Sequence, residues 1–561
     1  MKITCAALAV AGSVGAAAAG ALLLPLHALA QTVAPTDSAA APAAEEDRYR
    51  FDILEYEVSG NSVLPAALIE QAVMPFMGPG KRMADVEAAR TALEKVYQSQ
   101  GFLSVFVDVP EQQVTDGLVR LQVIEGKVDR VMVTGSRYFS HGYIRSKITA
   151  LTEGQVPNFN DVQQQLVALN RTPDRRVQPV LRPGKLPGTV EAELKVDDKL
   201  PFSGSVELHN QHAVDTDPLR LAVGLRYGNL FQRDHSLALN AIVAPRAIDQ
   251  ARIFVLNYAI PEDDGDTWAF TAVNSDSSVA SLGGVNVLGK GTTFSLRYIT
   301  PLGVARDGSW HSLSLGADLK HLQQQVKVGN DTLATPLRYL PFQMAYNGVW
   351  PASTGPGSSL NATFTMAQRK ILQRDLNVDF CAGSQDQFAC NKYGGDGSFA
   401  TLRLDWRHSE PLPARTSLGL RLAGQYANQP LVSAEQFAMG GAETVRGYLE
   451  SSALGDTGWL GSLELRSPNW AGQINPAGAT AQTAWVQDLT VFAFVDAAQV
   501  RLSEPLPGQS ASDMLMGTGL GLRLTGRYGL SLALDLARPT KTTASVTTKD
   551  TRLHARLGWK F

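Results

Sequence analysis

The apolar positions of this chain follow two rules, and the change falls near Pro201. Before it, apolar residues recur at helical spacing in some stretches and alternate in others. Ile69, Val73 and Phe76 mark one helix; Val86, Ala89, Leu93 and Val96 mark a second, with Gly101 placed to end it. Residues 51–58 read as extended, followed by a Gly60-Asn61 turn. Leu103, Val105, Val107 and Val109 alternate as a strand, and residues 118–124 form another before Glu125-Gly126. Residues 127–199 repeat this plan. A strand at 128–133 ends at Gly135, and Ile144, Ile148 and Leu151, then Val162, Leu166 and Leu169, mark two helices. A proline-rich stretch at 178–187 precedes the alternating Val190, Ala192, Leu194 and Val196. Two units of similar length and order are an internal repeat of small α+β domains.

After Pro201 the period is two and stays two. Leu219, Leu221, Val223, Leu225 and Tyr227 alternate with Arg220, Ala222, Gly224 and Arg226. Leu418, Leu420 and Leu422 alternate with Gly419, Arg421 and Ala423; Leu530, Leu532, Leu534 and Leu536 alternate with Ser531, Ala533, Asp535 and Ala537. In the last strand Leu553, Ala555, Leu557, Trp559 and Phe561 share one face and Arg552, His554, Arg556 and Lys560 the other. A strand with lipid on one side and water on the other needs this pattern. Backbone groups in lipid must all be paired, so such a sheet has to close into a barrel. The fold class is mainly β: a C-terminal transmembrane antiparallel barrel preceded by two small α+β domains.

Composition narrows this little. The 561 residues exceed one ordinary domain, and 44% hydrophobic content excludes a wholly disordered chain. Residues 1–30 read as a secretory signal peptide: Lys2, then an Ala/Leu/Val run to Leu24, then Ala28-Leu29-Ala30. Cleavage there removes one lysine and no acid, taking the formal charge from −3 to −4; nothing suggests nucleic acid. After residue 30 no apolar run approaches the ~20 residues of a membrane helix. Residues 31–48 are Ala/Pro/Ser-rich and end in Glu45-Glu46-Asp47, a disordered lead-in.

The candidate chemistry is sparse. Cys5 falls in the signal peptide; Cys381 and Cys390 remain, and a pair this close in an exported chain reads as a disulfide closing an extracellular loop. No nearby histidine completes a metal set. Residues 284–290 match most of a phosphate-binding loop, but Gly291 stands where Ser or Thr is required and residues 294–298 alternate as a strand. That stretch is a strand-connecting turn. No catalytic constellation, metal site or cofactor motif is found; a barrel hydrolase is a minor alternative.

Four stretches carry a resemblance. Gly440-Gly441-Ala442-Glu443-Thr444-Val445-Arg446-Gly447-Tyr448 is similar to the VRGY loop of outer-membrane transporters. Phe494-Val495-Asp496-Ala497-Ala498 resembles the family's Phe-x-Asp-x-Gly wall segment, with Ala498 in place of the usual glycine. Gly101-Phe102, Pro110, Gln112, Gly117 and Val123-Ile124-Glu125-Gly126 resemble the first POTRA domain of hemolysin- and adhesin-secretion transporters. A terminal Phe561 resembles the C-terminal signal of outer-membrane proteins, with Trp559 beside it. The chain thus resembles a two-partner secretion transporter.

The resemblance implies a signal peptide at 1–30, a lead-in at 31–48, POTRA domains at 49–126 and 127–199, and a barrel of about sixteen strands at 200–561. The loop around 432–460 would fold into the lumen, with Arg446 anchored on Asp496. The lead-in is short for both the plug helix and the linker that many such transporters carry. The implied function is ATP-independent secretion of an unfolded exoprotein through the barrel of a bacterial outer membrane, the POTRA domains lying in the periplasm. The implied partners are an exoprotein with an N-terminal secretion domain, outer-membrane lipid, the barrel-assembly machinery and periplasmic chaperones. An assembly factor that inserts other barrels shares the loop signature but typically differs in POTRA number. A passive pore or surface-binding barrel would have no use for the POTRA pair.

Overall fold

The computed structural model of the protein describes residues 50–277, 281–282, 285–286, 289–304, 307–328, 331–352, 357–372, 386–476, 478, 480, 483–543 and 546–561. Residues 1–49, which hold the stretches read as signal peptide and lead-in, Cys381 and part of 284–290 lie outside the described residues. The chain divides into two compact units. The first runs up to Ser59 and takes in Leu64–Glu94 and Val107–Val123; the second holds Gly60–Val63, Lys95–Phe106 and Ile124–Phe561.

In the first unit Glu55–Ser59 pairs in parallel with Leu118–Glu125, Glu55 opposite Leu118 and Ser59 opposite Gln122. Val119, Leu121 and Val123 turn inward at every second position, and Val86, Ala89 and Leu93 form the buried stripe of helix Met83–Ser99. A short strand, Gly78–Lys81, pairs with Phe51–Ile53. The sequence pattern hid it, because Gly78-Pro79-Gly80-Lys81 carries no alternation.

The second unit opens with the second α+β domain. Lys127–Thr134 runs parallel to the central strand Thr189–Asp198, and Arg175–Pro183 lies antiparallel on the other edge. This last strand runs into the proline-rich stretch at 178–187. Pro179 and Pro183 sit on an edge strand, where a missing N–H breaks no ladder.

The barrel follows. Its wall is closed and antiparallel from Phe202–His209 round to Arg552–Lys560, which pair with each other. Among the described residues there are sixteen wall strands. One strand is made of two pieces. Trp310–Val328 pairs with Phe342–Trp350 along its first half and with Asp331–Tyr339 along its second, Leu340-Pro341 forming the break. The outer face is apolar and exposed: Leu530 and Leu536 are 48% and 52% accessible, while Asp535 and Ala537, on either side of Leu536, are buried. Trp268, Trp310, Trp350 and Trp559 stand at strand ends next to the short turns, as an interfacial girdle requires. Gly289–Val304 is a wall strand, so the Gly289-Lys290-Gly291 end of the phosphate-loop look-alike opens no helix. At the seam Gly204 and Phe561 exchange backbone bonds of 2.9 Å, and the Phe561 ring covers Gly204, where a Cβ would overlap it.

Candidate functional site: an inward loop anchored on the barrel wall

Wall strands Ser417–Ala427 and Thr457–Arg466 are joined by residues 428–456. The sequence reading placed this loop at 432–460; residues 457–460 belong to the wall. Its stem is a hairpin, Phe437–Met439 against Ala453–Gly455. Its tip turns on two left-handed glycines, Gly440 (φ 102°) and Gly441 (φ 111°). A side chain at Gly441 would overlap the Glu450 carboxylate, which accepts the Ala442 N–H at 3.0 Å and so closes the tip.

Arg446 and Asp496 meet in the lumen. Nε and Nη2 of Arg446 donate to the two Asp496 oxygens, both at 2.7 Å, and the Arg446 backbone N–H adds a third bond at 3.1 Å. Nη1 reaches Glu464 Oε1 at 2.8 Å and Nη2 also reaches Ser462 Oγ at 3.3 Å; Ser462 in turn donates to Asp496 at 2.6 Å. The guanidinium centre lies 3.5 Å from the Phe494 ring centre and 5.6 Å from that of Phe492. Asp496 is 0% exposed and Arg446 4%. Two desolvated charges are held in this way only when their hydrogen-bonding groups are well matched; here the Arg446 guanidinium donates four bonds and Asp496 accepts four.

The wall is shaped to admit the loop. Phe492, Phe494, Asp496 and Ala498 face inward on Val486–Arg501. The neighbouring strand, Ser512–Gly526, presents Gly517, Gly519 and Gly521. A Cβ at Gly517 would overlap the Arg446 carbonyl oxygen, and one at Gly521 the Phe492 ring. Gly447 (φ 97°) lies against the Arg538-Pro539 backbone and donates its N–H to His554 Nε2 at 3.0 Å. Tyr448 is fully buried; its hydroxyl bonds the backbone of Met516 and Lys541 at 2.6–3.3 Å. Val445 is fully buried in the same cluster as Tyr448 and Leu515.

Further residues hold the loop, and no local signal in the sequence singled them out. Glu464, Ser462 and His554 reach the tip from wall strands whose distance along the chain says nothing of their proximity. At the stem, fully buried Asp456 accepts from the N–H of Leu431, the Gln436 amide and the N–H of Ser503 at 2.8–3.0 Å. Glu435 accepts from Tyr339 at 2.6 Å and Lys320 at 2.5 Å. Helix Gln387–Asn391 docks nearby: the Gln387 amide makes two bonds with the Arg338 backbone, at 2.7 and 2.8 Å. Cys390, in this helix, is disulfide-bonded. A cavity of about 680 Å³ remains beside the tip, lined in part by paired charges. Arg421 pairs with Asp405 at 2.6 Å, Arg523 with Asp535 at 2.7 Å, Arg466 with Glu464 at 2.7 Å, and Arg556 with Glu443 at 2.5 Å and Glu207 at 3.3 Å.

Fold and site define an outer-membrane β-barrel transporter with periplasmic POTRA structure. Within that class residues 358–524 match the model of the haemolysin secretion/activation protein family ShlB/FhaC/HecB, and residues 51–126 match a POTRA domain of the ShlB type. The outer membrane transporter CdiB of Dickeya dadantii is 22% identical over 456 residues, 77% of this chain and 73% of that protein. The heme/hemopexin transporter protein HuxB of Haemophilus influenzae is 20% identical over 404 residues, 70% of this chain and 67% of that one. Among solved structures, CdiB from Escherichia coli shares the fold with a TM-score of 0.59 at 17% identity, covering 93% of both chains. BamA from Haemophilus ducreyi lacking POTRA domains 1–3 shares it with a TM-score of 0.54 at 15% identity, covering 91% of this chain and 100% of that one.

Proposed function

We propose that this two-partner secretion transporter binds an unfolded exoprotein in the periplasm, passes it through the barrel, and withdraws the Arg446 loop from the lumen to do so. The carrying observation is the loop itself: a segment bolted at its tip inside a closed barrel by a buried bidentate pair. Arg446, Gly447, Tyr448, Val445, Gly440 and Gly441 form and seat the tip, while Asp496 and Phe494 receive it. Trp559 and Phe561 are the membrane-assembly signal, and the Cys381–Cys390 disulfide stabilises an extracellular loop. The POTRA domains lie at 49–126 and 127–199; their sheet edges offer backbone bonds to an extended chain with little demand on its sequence. The periplasm supplies no ATP, so folding of the exoprotein outside the cell drives passage, and the chain is not an enzyme. Barrel-assembly machinery, chaperones and lipid serve its own insertion. The test is direct. Co-express the transporter with the exoprotein encoded beside it and measure exoprotein in the medium. Residues 49–199, expressed alone, should bind that exoprotein's N-terminal secretion domain at micromolar or weaker affinity. No binding by a folded pair, with no secretion by the intact transporter, rejects the reading.

A further inference from the structure

The first periplasmic turn of the barrel, between Arg220–Leu230 and His235–Val243, is built at some conformational expense. Phe231 (φ 58°), Gln232 (φ 57°) and Asp234 (φ 60°) are all left-handed without being glycine. Asn229, 1% exposed, braces the turn by accepting the Asp234 N–H at 3.2 Å. The outcome of this geometry is that Asp234 points into the second α+β domain.

There it meets Arg175. Nη1 and Nη2 of Arg175 donate to the two Asp234 oxygens at 3.0 and 2.9 Å. The Arg175 side chain is 1% exposed and also donates to the Leu169 carbonyl at 2.5 Å. Its guanidinium stacks on Phe139, 4.7 Å from the ring centre, and Tyr143 donates to Asp234 at 3.1 Å. Burial and the neighbouring carboxylate push the Tyr143 phenol up, so it remains a donor. A second row of bonds joins the same two elements. The Asn229 and Gln232 amides donate to the Tyr138 carbonyl at 3.2 Å, and the Ser140 N–H donates to Gln232 at 2.8 Å. The loop that makes these contacts is itself pinned: Asp198, the last residue of the central strand, accepts the N–H groups of Arg137, Tyr138 and Phe139 at 2.8–3.2 Å.

We propose that Arg175 and Asp234 are positioning residues for secretion: a buried bidentate lock that holds the second periplasmic domain in one orientation at the barrel mouth. Arg175 is also the first residue of the edge strand Arg175–Pro183, whose positions from Gln178 onward are exposed. The lock therefore fixes where this free edge stands relative to the turn below the first three wall strands. An exoprotein segment held by the domain is delivered to the lumen along one path. The proposal rests on the secretion reading above.

The test uses full-length transporter co-expressed with its exoprotein. Asp234→Ala strands a buried guanidinium; Arg175→Met with Asp234→Ala removes both charges and keeps the packing on Phe139. The double variant should reach wild-type membrane levels and bind the exoprotein's secretion domain within about twofold of wild type. Its secretion should fall at least about tenfold, the signature of lost positioning without lost binding. Wild-type secretion by the double variant overturns the proposal. Loss of binding in step with secretion also overturns it, since the pair would then serve recognition. If Asp234→Ala alone is degraded, the double variant still decides. Failure of the wild-type pair to secrete would instead reject the secretion reading.

Discussion

Two buried arginines do similar work at two heights of this protein. Arg446 grips Asp496 over Phe494 inside the barrel; Arg175 grips Asp234 over Phe139 at its periplasmic mouth. Both use a bidentate fork, which lysine cannot reproduce. They differ in what surrounds the fork. Arg446 has a second carboxylate, Glu464, and a hydroxyl, Ser462, so its charge is over-matched. Arg175 has one carboxylate and a carbonyl, and its buried Nε has no partner among the described residues. They also differ in what they hold. Arg446 fastens the tip of a loop; Arg175 fastens a folded domain through strand, helix and turn together. Arg446 is one hold among several on the tip, with Gly447 on His554 and Tyr448 on Met516 and Lys541, so freeing the loop must undo them together.

The largest effect should come from the loop anchor. Removing one partner of a buried pair costs about 3–5 kcal/mol, so Arg446→Ala should keep the barrel folded but lower secretion sharply. Asp496→Ala should do the same, and the double variant should be little worse than either. Arg446→Lys should rescue poorly. Exoprotein in the medium, divided by transporter in the membrane, is the measure; additive losses would dissolve the pairing. Gly517→Ala comes next. Its Cβ would overlap the Arg446 carbonyl, so the loop should be unseated with every charge in place, and single-channel conductance should show a more often open pore. An unchanged conductance trace would mean that the wall yields.

Deleting Phe561 probes neither arginine. It removes the ring over Gly204 at the seam, so transporter in the membrane should drop while secretion per molecule holds. Equal membrane levels in fractionated cells would make the residue dispensable. The smallest effect concerns the junction loop. Burial alone would raise the Asp198 pKa, but the Tyr138 N–H, the Ser136 hydroxyl and the N–H groups of Arg137 and Phe139 outweigh it and hold it below the ordinary 3.8. A folded value below the unfolded one stabilises fully above the ordinary pKa, and that contribution is lost as pH falls through the lowered value. Amide protection at Arg137–Phe139 should therefore stay level near neutral pH and fall only in strong acid. In Asp198→Asn the acid step should vanish.

The barrel was legible because lipid on one face and water on the other write a period of two that loops interrupt but do not erase. The Arg446–Asp496 partnership was legible through the family resemblance together with parity: Asp496 shares parity with Thr490 and opposes Leu489, Val491 and Val495, which puts it on the lumen-facing side. Glu464, Ser462 and His554 were not, because only the closed register brings them to the tip. Strand Arg175–Pro183 went unread because two prolines speak against a strand unless it is known to be an edge. Asp234 gave no sign at all: a polar turn residue is ordinary until the domain across from it is placed.

The lumen charges come as neighbours of opposite sign, and this decides what a passing chain experiences. Arg421 with Asp405, Arg523 with Asp535 and Arg556 with Glu443 each present a dipole rather than a lone charge. The field of such a couple dies away faster than that of a single ion, and salt shortens its reach to about 8 Å at physiological strength. A lysine-rich stretch and an aspartate-rich stretch then slide past the wall with similar friction. At these pairs the charge composition of the travelling segment should matter little, so exoproteins of different isoelectric point should pass them alike.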